Sequence, residues 1–309
     1  MIVVQLSGGL GNQMFQYAAG RALAARHDAQ LVLDSSWIEG QGGAVSTEVR
    51  RYELGCFELE APITPVEQVA RLHRSVLPSR RPLLRELEEP PFGQPCPELL
   101  QAPDNTYLRG YWQNITYFEE AESLLRRDFD FRPEIAAQRT ELAREIDKTA
   151  VPTVSLHVRR SDYVTDPGAR DRMGTLEPDY YSRALDALGF GVGSMRLFVF
   201  TDDPVWCAAN LRLSEQDVVV GGRRADGDGA SIMHLMTLCD HHVVANSSFS
   251  WWGAWLNPSP AKIVVAPRPW LQDSRWEEEG RIPPDWVRID RRDYQADQPP
   301  STTTFAPVT

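Results

Sequence analysis

Between Thr153 and Pro267 short apolar runs alternate with helical segments. The runs are TVSLHV, MRLFVFTD, DVVVGG, HHVVAN and KIVVAP, and between them lie YYSRALDAL, PVWCAANL, IMHLMTLCD and SFSWWGAWL. Strands that are apolar along their whole length must be covered on both faces, and helical connections return the chain to start each strand in the same direction. This part of the chain is therefore constrained to a parallel α/β sheet. Its ligand-bearing residues belong in the loops beyond the carboxyl ends of the strands.

The N-terminus opens a second unit of the same kind: strand Ile2–Leu6, the glycine-rich turn SGGLGNQ, helix Met14–His27 and strand Gln30–Leu33. Phe15, Ala18, Ala19, Ala22 and Leu23 share one helical face and should pack on the sheet. From about residue 40 to 103 the pattern breaks into Pro- and Gly-rich pieces, as an insertion or helical excursion would. NTYLRGYWQNITYF restores strand character, and EIAAQRTELAREIDK reads as a helix bridging two halves. A chain of 309 residues also exceeds what one compact core usually encloses. The expectation is two Rossmann-like domains facing across a cleft, residues 1–145 and 146–294. The Pro/Thr-rich residues 295–309 are expected to be a disordered tail.

A net charge of −11 argues against nucleic acid as partner and for a small anion held by local donors. No signal-peptide pattern and no apolar run of about 18 residues occurs, so a cytoplasmic location is expected. Arg71, Arg74, Arg80, Arg81 and Arg85 form a basic run. Weak peripheral contact with the inner membrane face is one reading of it, and a solvated charged helix is the favoured one. Cys56, Cys96, Cys207 and Cys239 are too far apart for a Cys-x-x-Cys site and read as buried thiols. His241 and His242 are strand neighbours pointing to opposite faces, which excludes a shared metal.

Four strand ends carry chemistry. In the opening turn, Gly9-Leu10-Gly11 suggests a dinucleotide fingerprint, with Asp34 ending the next strand. Met14, however, fills the place where close packing requires Gly or Ala. What remains is a backbone that admits close approach, with Asn12 and Gln13 at a helix N-terminus, or simply a tight turn capped by Asn12. In HVRRSDY, the paired Arg159 and Arg160 beside His157 and Asp162 suit a diphosphate, against the plainer reading of a surface ion pair. In NSSFSWWGAWLN, Asn246, Ser247, Ser248 and the Phe249 amide open a helix, as an anion site or an ordinary cap, followed by Trp251, Trp252 and Trp255. In FTDD, Asp202 and Asp203 read as ribose or base contacts, or as a helix cap, rather than metal ligands.

Taken in order, GGLGNQMFQYAAG, GYWQN, HVRRSDY, FTDD and NSSFSWWGAWLN resemble the bacterial α-1,2-fucosyltransferases of glycosyltransferase family 11, from residue 2 to about 270. The resemblance implies a GT-B-type fold, GDP-β-L-fucose as donor and no metal cofactor. It also implies inverting transfer to the 2-hydroxyl of a terminal β-galactoside. The acceptor, a galactose-terminated oligosaccharide, would lie on the N-terminal half and the nucleotide on the C-terminal half. Arg159 or Arg160, Ser247, Ser248 and the Phe249 amide would then neutralise the leaving diphosphate. Gly9, Gly11, Asn12 and Gln13 would close over the donor, with His157, Asp202, Asp203 and Asn246 completing its site. Asp162 is the candidate base, so Arg160, Asp162 and Asn12 form the expected catalytic set. One departure stands out: where the family carries an acidic residue to read guanine, this chain has Ser231-Ile232, leaving Asp202, Asp203 or His157 to supply contacts. The alternatives are a related transferase using another sugar nucleotide or linkage, and a non-catalytic glycan-binding protein that stacks sugars on its tryptophans.

Overall fold

A computed structural model describes residues 1–40, 50–59, 61–64, 83–191, 193–221, 228–273, 275 and 279–291. Arg71, Arg74, Arg80 and Arg81 and the expected tail, 295–309, lie outside the described residues.

The first sheet holds β1 (Ile2–Gln5), β2 (Leu31–Asp34), β3 (Ile63–Thr64), β4 (Arg85–Glu88) and β5 (Thr106–Arg109), in the order β3-β2-β1-β5-β4. The second holds β6 (Thr153–Val158), β7 (Arg196–Thr201), β8 (Val218–Gly221), β9 (His241–Val243), β10 (Val264–Arg268) and β11 (Val287–Asp290), in the order β11-β10-β9-β6-β7-β8. Every pairing in both sheets is parallel. The helices used below are α1 (Leu10–Arg26), α2 (Glu122–Asp128), α3 (Thr140–Asp147), α4 (Ser161–Thr165), α5 (Pro178–Ala187), α6 (Pro204–Asn210), α7 (Gly229–Thr237) and α8 (Ser248–Leu256). Helices α2 and α3 bridge β5 and β6, and the bridge is broken by further short turns between residues 133 and 139.

Three edge strands depart from the sequence expectation, the short β3 among them, which pairs with β2 inside the segment read as an insertion. β4 reads RELE and is mostly exposed, so it shows no apolar pattern, yet it pairs with β5 from Arg85 opposite Thr106 to Glu88 opposite Arg109. Arg85 thus begins a strand rather than sitting in a helix. β11 also lies beyond the segments read as strands, in the half-exposed run Val287–Asp290.

The lobes share one core where they face each other, while the second keeps a separate cluster around Val154, Leu156, Tyr180 and Val199 and the first a small one of Val3, Val32, Leu84 and Tyr107. α1 is buried on nearly all sides because the first sheet covers one face and α8 another. Phe15 of α1 meets Trp251 and Trp252 of α8 at ring-centroid distances of 4.7 and 4.9 Å. One apolar cluster consequently runs from Ile2 and Val4 through these rings to Met233 and Met236 on α7. A buried tryptophan removes about 150–250 Å² from water, on the order of 4 kcal/mol each, so Trp251 and Trp252 join the lobes firmly. No helix among the described residues is long and apolar enough to cross a membrane.

Candidate active site

In each sheet the chain adds strands outward on one side and then returns to the other side of its first strand. The crevices opened by that reversal lie between the carboxyl ends of β1 and β5 and between those of β6 and β9. Loops from both crevices meet. Asn12 Oδ1 accepts hydrogen bonds from Ser248 Oγ at 2.7 Å and from Gln113 Nε2 at 2.8 Å, and Arg281 Nη1 donates to Gln113 Oε1 at 2.5 Å.

The glycine turn serves this junction. Gly8 takes the left-handed φ of 73°. Gly11 lies against the start of α8: a Cβ there would sit 2.6 Å from the Ser248 carbonyl carbon and 2.7 Å from the Phe249 nitrogen. The Gly11 carbonyl accepts from Trp252 Nε1 at 3.1 Å. Protein backbone, rather than a nucleotide, is what approaches this glycine. The first N–H of α1, at Leu10, donates to the Glu53 carboxylate, so that end of the helix already has its anion. Gln13, expected among the donor contacts, is fully buried and hydrogen-bonds the Gly8 and Arg51 carbonyls and the Glu53 N–H. Asp34 is enclosed as well, accepting from Tyr107 Oη at 2.6 Å and the Ser36 N–H at 2.8 Å, which removes the ribose contact of a dinucleotide site.

Beyond β6 the two arginines diverge. Arg159 is only 7% exposed; its Nη1 donates to Asp202 Oδ2 and its Nη2 to Asp162 Oδ1, both at 2.6 Å. Asp202 also accepts from the Arg160 N–H at 2.8 Å. Burial pushes the Asp202 carboxyl up, but the Arg159 charge and the hydrogen bonds from Arg160 and Ser161 outweigh it and hold it below the usual carboxylate range. Arg160 turns elsewhere: its guanidinium lies 4.2 Å from the Trp206 ring centroid and its Nε is 3.4 Å from Asp203 Oδ2. Asp203 Oδ1 caps α6 through the Trp206 N–H at 3.0 Å.

A small open cavity lies beside these loops, lined among others by His157, Arg159, Asp202, Asp228, Ile232 and Phe249. The ring centroids of His157 and Phe249 are 5.7 Å apart at its wall. Ser247 caps α8 by accepting from the Phe249 N–H at 3.3 Å. Asn246 is fully buried; its Nδ2 bonds the Met173 and Gly174 carbonyls, so it holds the α4–α5 connection instead of facing the cavity. Trp251, Trp252 and Trp255 are likewise interior and offer no face to a sugar.

Asp228 was not singled out from the sequence. It precedes α7 by one residue, and one carboxylate oxygen pairs with Arg139 Nη2, while Arg139 Nε also reaches Ser231 Oγ at 3.2 Å. Its other oxygen, Oδ1, is buried and makes no hydrogen bond among the described residues. An acid thus lines the cavity three residues before Ser231. Glu89, Gln113 and Arg281 were also missed; only the GYWQN segment signalled that region.

A sequence profile described as Glycosyl transferase family 11 matches residues 95–290. The Escherichia coli O-antigen biosynthesis glycosyltransferase WbnK is 31% identical over 287 residues, covering 86% of this chain and 93% of its own. An alpha-1,2-colitosyltransferase of the same organism is 31% identical over 308 residues, covering 94% of this chain and 99% of its own. The Sus scrofa galactoside alpha-(1,2)-fucosyltransferase 2 is 23% identical over 297 residues, covering 94% and 80%. Among solved structures, Arabidopsis thaliana FUT1, a mutant in complex with GDP, superposes with a TM-score of 0.53 at 13% identity over 99% of this chain and 79% of its own. NodZ alpha-1,6-fucosyltransferase soaked with GDP-fucose gives 0.50 at 18% identity over 83% and 92%. These are GT-B fucosyltransferases, and the two parallel-sheet lobes of the present chain share that fold.

Proposed function

This chain belongs to glycosyltransferase family 11, and we propose that it transfers L-fucose from GDP-β-L-fucose to the 2-hydroxyl of a terminal β-galactoside, with inversion and without a metal ion. The acceptor oxygen attacks the anomeric carbon from the face opposite the diphosphate. The carbon–oxygen bond to the β-phosphate breaks, its electron pair leaves with GDP, and the hydroxyl proton passes to a base.

The observation that carries this reading is the Asn12–Ser248 hydrogen bond, which joins the two crevices beside a cavity holding Arg159 and Asp228. Arg159, fixed by two carboxylates, is the cation for the leaving diphosphate, and the first turn of α8 adds N–H donors. Such preorganised charge does the work a divalent ion does elsewhere. The Asp228 carboxylate, which lines that cavity, is suited to accept from the N1–H and 2-amino group of guanine. Asp162 engages Arg159 through Oδ1, and among the described residues Oδ2 makes no hydrogen bond, so Oδ2 takes the acceptor proton in this reading. The acceptor lies on the N-terminal lobe, against the turn that bears Tyr111, which is 42% exposed.

A second donor, GDP-colitose, is favoured by the similarity to an alpha-1,2-colitosyltransferase. The test is incubation with GDP-fucose or GDP-colitose and a panel of β-galactosides, in EDTA and in manganese, with the linkage mapped by NMR. An α-1,2-fucosylated product in EDTA is expected. Colitose transfer alone, another linkage, or activity that needs manganese would overturn the corresponding element.

A further inference from the structure

Glu89 lies just after the edge strand β4, and its carboxylate reaches across the carboxyl end of β5. Oε2 accepts from the Tyr111 N–H at 2.7 Å and Oε1 from the Trp112 N–H at 3.1 Å. The turn it holds is an improbable one for free chain. Gly110 has φ 155°, and a Cβ on it would lie 2.4 Å from that of Glu89. Trp112, fully buried, takes a left-handed φ of 55°, a conformation that bulky residues keep only where their surroundings impose it. The next residue is Gln113, whose amide is fixed at both ends, by Arg281 and by Asn12.

We propose that Glu89 is a positioning residue for the transfer reaction: by clamping the Gly110–Trp112 turn it lays Gln113 against Asn12 and so fixes the orientation of the Asn12 amide where the two lobes meet. With its Oδ1 accepting from both Gln113 and Ser248, Asn12 cannot flip without breaking two hydrogen bonds. A displaced turn frees that amide, although no atom of Glu89 touches the substrate. The role rests on the transferase reading for its kinetic consequence, and not for the clamp itself.

The clamp requires an ionised carboxylate, because a protonated one presents an O–H where a backbone N–H needs an acceptor. The charged and titratable groups around it are Arg281, whose charge favours the ionised form, and Cys96 and Tyr117, both of which feel the Glu89 charge. Burial raises the Glu89 carboxyl above the ordinary glutamate range despite the two N–H bonds and Arg281. The clamp therefore holds above that raised value and is lost as pH falls through it.

The experiment compares wild type with Glu89→Gln, Glu89→Asp and Gln113→Ala. Amide exchange at Tyr111 and Trp112, corrected for intrinsic rates, should lose protection in wild type on acidification, whereas Glu89→Gln, which keeps one acceptor oxygen and sets an NH2 against the other N–H, should leave one of the two amides unprotected at every pH. In GDP-fucose assays, Glu89→Gln and Gln113→Ala should lower kcat about 10–10²-fold while the Kd for GDP stays within about twofold. Glu89→Asp should restore part of the rate together with the acid limb that Glu89→Gln lacks. Wild-type exchange and kcat in Glu89→Gln, or a GDP Kd weakened as much as kcat falls, overturns the proposal. If Glu89→Gln does not fold, Gln113→Ala decides: an undiminished kcat refutes the role. A wild type that transfers no fucose counts against the donor reading alone, since the exchange result does not depend on the donor.

Discussion

Ser248 Oγ donates to Asn12 Oδ1 at 2.7 Å, although 236 positions separate the two residues in the chain. The bond ties the first turns of α1 and α8, and the shared apolar cluster beneath it joins the same two helices. The candidate active site is therefore built on a packed helix–helix contact, where small changes in backbone separation alter both stability and donor geometry.

Gly11→Ala tests that contact. Its methyl would meet the Ser248 and Phe249 backbone, which cannot rotate away as a side chain would. Overpacking of this kind costs about 1–3 kcal/mol, and in a chain of this size it should lower Tm by several degrees in a thermal scan. Transfer activity should fall with it. Gly40→Ala, where nothing lies within 4 Å, is the neutral control. Equal Tm values for the two variants would refute the account.

The two arginines should separate cleanly. Arg159→Lys keeps a charge but cannot bond Asp162 and Asp202 together, and should lose about 10²–10³ in kcat with weaker GDP binding by calorimetry. Arg160→Ala removes a contact with Trp206 and Asp203 and should retain most of the activity. A reversed ranking would return the catalytic assignment to Arg160.

For Asp162→Asn the expected result is a fall in kcat of about 10²-fold with GDP affinity near normal, since proton transfer by a placed carboxylate contributes on that scale. An unchanged rate removes Asp162 as the base.

Base selection should depend on Asp228. Asp228→Asn replaces a carboxylate that lines the cavity with an amide, and GDP affinity should drop about 10–10²-fold in titration calorimetry. ADP, which lacks the N1–H donor of guanine, should bind wild type and variant alike. Undiminished GDP binding by the variant would dismiss Asp228 as the reader.

What the sequence disclosed and what it hid follow one physical division. β6 is buried at every position, and its run, TVSLHV, has the bounds read for it. The β4 run RELE has solvent on its edge, so pairing with β5 rather than side-chain pattern makes it a strand. The same holds in the candidate site. The glycine turn and the serine cap announce themselves through local backbone demands. Whether Arg159 or Arg160 faces the cavity depends on Trp206 and Asp202, more than forty positions away, and no spacing within HVRRSDY encodes it. Gln13 and Asn246 carry the residue types of a ligand site, yet they hydrogen-bond the chain itself.

A last prediction concerns acid stability. His242 on β9 is 1% exposed; its Nε2 meets Asn257 Nδ2, a donor, at 2.8 Å, so the ring proton sits on Nδ1. Burial first, then the nearby charges of Lys262 and His241, push its pKa down to about 3. Because the unfolded imidazole titrates near 6.5, the unfolded state binds more protons than the folded one between these values. The contribution of His242 to stability is thus complete above about pH 6.5 and declines as pH falls toward about 3, by at most ~1.4 kcal/mol per pH unit. His242→Leu leaves Asn257 bonded to the Cys239 carbonyl and should flatten the loss of urea stability between pH 7.5 and pH 4.5 relative to wild type. Parallel pH profiles for the two proteins would show that His242 is not the group that binds the proton on unfolding.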